Sequence, residues 1–156
     1  MQLQIISVGQ KMPAWVDNAC ADYLKRMPRE IKIEITSIAL ARRNSGGSAE
    51  QLKQQETSQI MKKMPRGSFS IALDERGKQW SSGEWSQQLG HWMREYPRVN
   101  IIIGGPDGLS EECRQACSQT IALGAMTMPH ALVRVVLVEQ LYRAWTLLNG
   151  HPYHRE

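Results

Sequence analysis

The sequence predicts an α/β domain, a small sheet with helices on both faces. Short apolar runs alternate with amphipathic helical patterns along all 156 residues, an order typical of α/β proteins. Two of these runs, residues 69–73 (FSIAL) and 99–103 (VNIII), are apolar throughout, as strands buried on both faces are. No repeat, low-complexity tract or long linker divides the sequence, and its length suits one domain. We therefore treat residues 1–156 as a single domain.

The N-terminal half contains two predicted strands and two predicted helices. Residues 3–8 (LQIISV) form the first strand, and apolar residues recur at intervals of three and four over residues 16–27, as in an amphipathic helix. Isoleucines alternate with polar residues over 31–36, which indicates a strand with one wet face, at or near a sheet edge. A loop at 44–48 (NSGGS), expected to be mobile, precedes a helix that runs to about Lys63.

The C-terminal half predicts a helix at 82–95, a last strand at 120–123 and a long helix at about 131–149. Gly150 and Pro152 end that long helix. It is apolar nearly all the way around, and a domain of this length can rarely bury a terminal helix on every side. We therefore predict a homodimer with the last helix at the interface.

The charge of the chain permits contact with nucleic acid. Nineteen Lys and Arg residues against fifteen Asp and Glu residues give a net charge of +4. Any one basic cluster is compatible with an ordinary solvated face, but several together favour a polyanionic partner. The clusters are Lys25, Arg26 and Arg29; Arg42 and Arg43; and Lys62, Lys63 and Arg66.

Secretion, membrane insertion and metal binding are not predicted. The first apolar run is short and has no basic leader, and the most apolar stretch, residues 131–148, contains Arg134, Glu139, Gln140 and Arg143. The three cysteines lack the spacing of a zinc site and are expected to be buried reduced thiols. We expect a soluble, cytoplasmic protein without a metal.

A glycine-rich turn follows the second apolar strand. The segment 101–112 (IIIGGPDGLSEE) runs from that strand through residues 104–108, called the glycine turn below, to Ser110, which can cap a helix. Glycines here let the backbone approach a ligand at the sheet edge where α/β proteins bind small molecules. The turn matches neither a Walker loop nor a spaced G-x-G-x-x-G motif. A tight turn without a ligand and a turn that holds an adenosine with an uncharged linkage both fit.

A loop of small and apolar residues leads into the last helix. Residues 123–134 (LGAMTMPHALVR) suit an apolar adenine slot, although methionines are more often core filler. His130 can equally cap the helix or bond to a carbonyl group. Glu139 and Arg143 lie four residues apart on one helix face, where an intrahelical ion pair is the plain explanation.

The tail, residues 151–156 (HPYHRE), is rich in chemically active side chains. Chain ends are usually frayed and tolerant of change. Two histidines, a tyrosine and an arginine at this end therefore indicate a docked tail that takes part in a reaction. The alternative is a solvated polar end.

These segments together resemble one family. IIIGGPDG, LGAMTMPHALVRVVLVEQLYRAW and NGHPYHRE, in this order and at these separations, resemble bacterial methyltransferases of the SPOUT superfamily that modify N3 of a pseudouridine in large-subunit ribosomal RNA. The resemblance spans the chain, including the opening LQIISVGQKMPAWV. Gly124 and Met126 stand where relatives vary among small and apolar residues, and Asp107 stands where relatives often have Glu.

The resemblance implies a topology, a methyl donor and a substrate. It implies a homodimer in which the C-terminal part of each chain threads a loop as a trefoil knot, which strand patterns alone would not predict. The implied donor is S-adenosylmethionine, bent within the knot, and the implied target lies in a ribosomal hairpin loop recognised in assembled ribosomes. The implied donor-binding residues are Leu73, Gly104, Leu123, Gly124, Ala125, Met126, Thr127 and Met128.

Methyl transfer to a uracil-type N3 needs alignment and deprotonation rather than a metal. A base or a nearby cation favours the imide anion that attacks. His154 can accept the proton, Arg155 can stabilise the oxyanion or hold a phosphate, and Tyr153 can stack on a base lifted from the RNA. We expect the tail to complete the site of the partner subunit. The supporting positions implied by the family are His130, Glu139 and Arg143.

Two other functions fit the sequence. One is an enzyme of the same superfamily that acts on another rRNA or tRNA nucleotide. The other is a non-catalytic ribosome-binding dimer that has lost the donor. The intact glycine turn and the intact tail count against the second.

Overall fold

A computed structural model describes residues 1–9, 11–43 and 46–154 of the chain. The strands are β1 (Gln2–Val8), β2 (Lys32–Ile38), β3 (Phe69–Gln79), β4 (Arg98–Ile103) and β5 (Gln119–Ala122). The α-helices are α1 (Ala14–Arg26), α2 (Ala49–Lys63), α3 (Ser82–Glu95), α4 (Glu111–Gln115) and α5 (His130–Leu148), followed by a short 3-10 helix at Pro152–His154.

The strands form one parallel sheet in the order β2-β1-β4-β3-β5. The prediction of an α/β fold is confirmed, and so is the edge position of β2, whose alternating sequence leaves one face wet. Strands β3 and β4, with the densest apolar runs, lie inside the sheet. Ile101 of β4 pairs with Ile5 of β1 on one side and with Ile71 of β3 on the other.

Two apolar layers sandwich the sheet because successive side chains of a strand point to opposite faces. Ile101 contributes to a layer that contains Trp85 and Trp92 of α3 and the inner residues of α5. Ile102 contributes to the opposite layer, together with Ile60 of α2 and Cys113 of α4. Helices therefore cover both faces, as predicted.

Strand β3 is longer than the predicted strand, which ended at residue 73. Leu73 pairs with Ile121 of β5, and so does Lys78, so that residues 74–77 form a bulge between them. A Cβ atom on Gly77 would lie 2.6 Å from backbone atoms of Ile121, so only glycine lets the strand return to β5 here. The bulge sequence DERG carries no apolar alternation, which is why the pattern did not predict strand there.

Serine caps begin three of the helices. Ser48 and Ser81 each form a reciprocal capping box, with Gln51 at the start of α2 and Glu84 at the start of α3. Ser110 accepts from the backbone N–H of Cys113, which confirms it as the predicted cap of α4. Of the loop predicted to be mobile, positions 44 and 45 lie outside the described residues. All three cysteines are free thiols; Cys20 and Cys113 are buried, as expected, whereas Cys117 is only partly buried.

Helix α5 packs against α1 and α3 and supplies the centre of the larger apolar layer. Leu137, Val138 and Leu141 are completely buried, whereas Leu132 and Leu148 near its two ends are exposed. In the described parts of the chain, no helix is both long enough and apolar enough to cross a membrane.

Candidate active site

A cavity of about 340 Å³ lies at the carboxyl edge of the sheet. Parallel sheets bind ligands at this edge because the loops that follow neighbouring strands converge there. One wall is the glycine turn after β4, another is the bulge of β3, and a third is the loop between β5 and α5. The residues that line it are Leu73, Asp74, Glu75, Arg76, Ile103, Gly104, Gly105, Pro106, Asp107, Gly108, Ala122, Leu123, Gly124, Met126, Thr127, Met128, His130 and Val133.

Seven of the eight residues that the resemblance implies as donor-binding line this one cavity. Ala125 is the exception. Met126 is 80% exposed, so the cavity is open on the side of that loop. A Cβ atom on Gly124 would meet no atom within 4 Å, which leaves room for a ligand next to the backbone. The assignment of these residues to a donor stays a prediction.

The glycine turn is tight, and two of its glycines are required by geometry. The N–H of Gly108 donates to the carbonyl oxygen of Gly105 at 2.9 Å, and Gly108 has a φ of +78°, a conformation that favours glycine. A Cβ atom on Gly104 would lie 2.8 Å from the carbonyl carbon of Gly108. The backbone is therefore closely folded, with Gly104 and Gly105 forming part of the cavity wall.

Helix α2 holds the glycine turn from behind. Thr57 shares a 2.5 Å hydrogen bond with Ser110, the cap of α4. Glu56, only 4% exposed, places its carboxyl group against Gly105. Burial raises the pKa of Glu56, and the nearby Asp107 raises it further, while Arg43 opposes both. Glu56 was not predictable from the sequence, because α2 is mostly polar and the sequence does not distinguish a buried carboxylate from an exposed one.

The Arg43 side chain forms an ion pair with Asp107 at 2.5 Å. This contact ties the segment that follows β2 to the glycine turn. One of the arginines that the sequence offered as a polyanion contact therefore already has an acidic partner at the cavity.

The β3 bulge carries an ion-pair network. Asp74 accepts two hydrogen bonds from the guanidinium group of Arg76, at 2.9 and 3.2 Å, and one from Arg114 of α4 at 3.4 Å. Burial disfavours the Asp74 carboxylate, but these hydrogen bonds and charges outweigh burial and lower its pKa. The network stiffens a wall of the cavity and places Arg76 at its rim. No pattern in the sequence predicted a role for these residues.

His130 begins α5 beside a buried arginine. Its Nε2 atom lies 3.5 Å from the hydroxyl oxygen of Ser7, which accepts a 3.0 Å hydrogen bond from Arg134. Arg134 also donates to the carbonyl oxygen of Gly9 at 2.5 Å. Burial and the Arg134 charge lower the pKa of His130, although a hydrogen bond with the backbone of Val8 opposes them. His130 therefore lines the cavity as a neutral imidazole at neutral pH.

The described part of the tail is docked on α5 and α1. The Tyr153 hydroxyl donates to Glu139 Oε1 at 3.0 Å and lies 3.4 Å from the Tyr23 hydroxyl. The Arg143 guanidinium stands 5.1 Å from the centre of the Tyr153 ring. Glu139 and Arg143 form the expected ion pair at 2.8 Å. The solvated-end alternative therefore does not hold for this residue.

Two features of the tail bear on its chemistry. Burial raises the pKa of Tyr153, as do its hydrogen bonds with Tyr23 and Glu139, so the phenol stays protonated. Nδ1 of His154 is buried and finds no hydrogen-bond partner among the described residues. Arg155, which the sequence analysis assigned a catalytic role, lies outside the described residues.

The tail and the cavity are separate within one chain. No described tail residue lines the cavity. Tyr153 bonds to Glu139, which is nine residues beyond His130 on α5. At a rise of 1.5 Å per residue, these two helix positions are about 13 Å apart. The structure thus brings seven of the eight predicted donor residues together with His130 at the cavity, and Tyr153, Glu139 and Arg143 together at another place.

The chain matches a known family over nearly its whole length. Residues 1–154 match the family described as "Predicted SPOUT methyltransferase". A protein from Hahella chejuensis is 45% identical and one from Nitrosococcus oceani is 43% identical. The alignments cover 100% of both chains in the first case and 99% of both in the second, and each protein is named "Ribosomal RNA large subunit methyltransferase H".

Solved structures share the fold at low sequence identity. A methylase family protein from Neisseria gonorrhoeae superposes with a TM-score of 0.56 over 90% of this chain and 81% of its own, at 14% identity. A methyltransferase from Legionella pneumophila, solved with bound SAM, gives a TM-score of 0.52 over 92% of this chain and 66% of its own, also at 14% identity.

Proposed function

The chain belongs to the SPOUT methyltransferase family, and from this premise we propose that it transfers a methyl group from S-adenosylmethionine to N3 of a pseudouridine in large-subunit ribosomal RNA. The observation that carries the proposal is the full-length identity of 39–45% to proteins named ribosomal RNA large subunit methyltransferase H. The choice of N3 rests on the resemblance of the glycine turn and the tail. The described residues form one sheet with its helices, so recognition would rely on that surface and on the assembled ribosome.

The cavity suits this donor. Its volume falls in the range of about 300–1,000 Å³ that small-molecule sites occupy. Leu73, Leu123 and Met128 offer apolar contacts to an adenine ring, and the backbone at Gly104 and Gly124 is open to polar contacts. The donor carries no phosphate, in agreement with a glycine turn that resembles no phosphate loop. When bound, it supplies an electrophilic methyl group on a positively charged sulfur.

The tail residues supply the substrate side in this proposal. Tyr153 would stack on the target base, and Arg155 would stabilise the negative charge on the base or hold a phosphate. His154 would accept the N3 proton through the lone pair of its unprotonated ring nitrogen. Its buried Nδ1 has no hydrogen-bond partner among the described residues and would serve as that nitrogen. Glu139 and Arg143 would fix the position of Tyr153 through the hydrogen bond and the ring contact described above.

We further propose a homodimer in which the tail of one subunit completes the cavity of the other. The separation of Tyr153 from the cavity within one chain supports this arrangement. So does the exposure of Leu132 and Leu148 on α5 and of Trp15 on α1, since exposed apolar groups on packed helices fit an interface. The trefoil knot is proposed from family membership alone.

The test uses purified large subunits or ribosomes that lack the modification, the purified protein and S-adenosylmethionine with a labelled methyl group. Mass spectrometry should find the label on one pseudouridine of the large-subunit RNA. His154→Ala, Tyr153→Ala and Arg155→Ala should each reduce methylation while donor binding remains measurable. Label on another nucleotide would correct the target, and unchanged turnover in all three variants would reject the role of the tail.

A mixing experiment tests the shared site. Gly124→Trp should block the cavity, because a side chain at this position enters open space and leaves the backbone undisturbed. Mixed with Tyr153→Ala under conditions that exchange subunits, it should regain activity, since one of the two sites in the mixed dimer is intact. No recovery in a confirmed mixed dimer would place the tail in the site of its own chain.

A further inference from the structure

Glu56 is a buried carboxylate that the proposed reaction does not use. It lies on α2, is 4% exposed, and its Oε1 has no hydrogen-bond partner among the described residues. A carboxylate in such a place costs several kcal/mol unless something compensates its charge. Its position is fixed, because the neighbouring Thr57 is bonded to Ser110 on the far side of the glycine turn.

The Glu56 carboxyl group lies directly behind Gly105, a residue of the cavity wall. Oε1 and Oε2 lie 2.8 and 3.2 Å from the place where a Cβ atom of Gly105 would stand, and Gly105 lines the cavity. Gly105 has no side chain, so only backbone separates the carboxylate from the interior. A charge in this position acts on the cavity across protein rather than water, where electrostatic effects are stronger.

The neighbouring charges do not cancel that of Glu56. Arg43 is the cation whose charge lowers the pKa of Glu56, but its direct ion pair is with Asp107. At the opposite wall, Arg76 and Arg114 form ion pairs with Asp74, and Arg114 forms a second one with Glu111. Arg43 balances Asp107, so Glu75 adds a further negative charge to the lining. The cavity therefore retains a negative potential that favours a cationic ligand.

We propose that Glu56 makes the donor site selective for charge, so that it binds the sulfonium donor more tightly than the demethylated product. This inference rests on the proposed function. S-Adenosylmethionine carries one more positive charge than S-adenosylhomocysteine, and the two otherwise differ by one methyl group. A buried negative charge next to the site stabilises the first and does little for the second. The spent product then leaves more readily than fresh donor.

The experiment measures the dissociation constants of both ligands by calorimetry at pH 8, because burial raises the pKa of Glu56 and a higher pH favours its charged form. Glu56→Gln keeps the size of the side chain and removes its charge. We expect the preference for S-adenosylmethionine over S-adenosylhomocysteine to fall by about fivefold to tenfold in this variant. Glu50→Gln is the matched control, because it removes an exposed carboxylate from the first turn of the same helix. The preference of the control should equal that of the wild type.

An unchanged preference in Glu56→Gln would overturn the inference. If both ligands also bind more weakly by the same factor, Glu56 only shapes the glycine turn. Asp107→Asn provides a second test at a less buried position. It frees Arg43 to offset Glu56 and should lower the preference in the same direction; an unchanged preference would contradict the proposal. If the wild-type protein binds neither ligand, the proposed function falls with the inference. If the donor binds and neither variant alters the preference, the role of Glu56 is rejected while the proposed function stands.

Discussion

Oε1 of Glu56 lies 2.8 Å from the position that a Cβ atom of Gly105 would occupy, and Cγ1 of Val8 lies 3.1 Å from the same point. The backbone of Gly105 is not in the left-handed region, so alanine is excluded by crowding and not by its own conformation. We expect Gly105→Ala to lower the free energy of unfolding by about 1–3 kcal/mol, the usual cost of overpacking. Urea denaturation measures this change.

A double-mutant cycle identifies Glu56 as the obstacle. Glu56→Asp shortens the side chain by one methylene group and should make room for the new methyl group. Gly105→Ala should therefore cost less in the Glu56→Asp protein than in the wild type, with a coupling of about 0.5–1 kcal/mol. Additive effects would mean that Val8 provides the crowding instead.

Gly77 offers a second, more severe case. Its Cβ position is 2.6 Å from the backbone nitrogen and carbonyl carbon of Ile121, and backbone in a paired strand cannot move aside as a side-chain end can. Gly77→Ala should cost more than about 3 kcal/mol or prevent folding. In Gly83→Ala, the control, the new methyl group meets only Ser81 Oγ at 3.8 Å. The control should be neutral or gain about 0.5 kcal/mol, and similar losses in the two variants would contradict the steric account.

The neutral state of His130 predicts a loss of stability in acid. Burial and Arg134 lower the pKa of His130 in the folded protein. The unfolded chain takes up this proton at about pH 6.5, so the folded state loses stability as the pH falls below that value. Urea denaturation at pH 8 and at pH 5.5 measures the free energy of unfolding. Between these pH values it should fall more in the wild type than in His130→Gln, and the difference is at most about 1.4 kcal/mol per pH unit. Parallel losses would show that His130 titrates as it does in the unfolded chain.

The order of strands and helices was predictable because it depends on local periodicity. The apolar runs of β3 and β4 and the alternation of β2 each reflect how many faces of the strand are buried, and the structure agrees with all three. The glycine turn and its serine cap were predictable for the same reason, since their conformations require particular residues next to each other in sequence.

Contacts between distant segments were not predictable in this way. Asp74 and Arg114, 40 residues apart, meet where the bulge of β3 lies beside α4. Glu56 lies next to the cavity wall because α2 packs behind the glycine turn. The tail was predicted to take part in the reaction, but the contacts of Tyr153 with Glu139 and Tyr23 depend on how α1 and α5 pack. In each case tertiary packing determines which side chains meet, and local sequence patterns do not predict these contacts.

The hydrogen bond of the Tyr153 hydroxyl is expected to hold the tail in place. It donates to Glu139 at 3.0 Å and lies near the Tyr23 hydroxyl, and its raised pKa keeps the proton that the bond to Glu139 requires. Tyr153→Phe retains the ring and its packing against Tyr142, at 4.7 Å between ring centres, but removes this bond.

A hydrogen bond to a charged acceptor contributes about 1.5–3 kcal/mol, less where solvent has access. Amide exchange of His151, Tyr153 and His154 should therefore accelerate about fivefold or more, while exchange in the sheet stays constant. Tyr96→Phe, whose ring stacks on Phe69 at the end of α3, is the control and should leave exchange in the tail unaltered. If the tail exchanges at the same rate in all three proteins, the ring contacts with Tyr142 and Arg143 hold it, and the hydroxyl is free to act on a substrate.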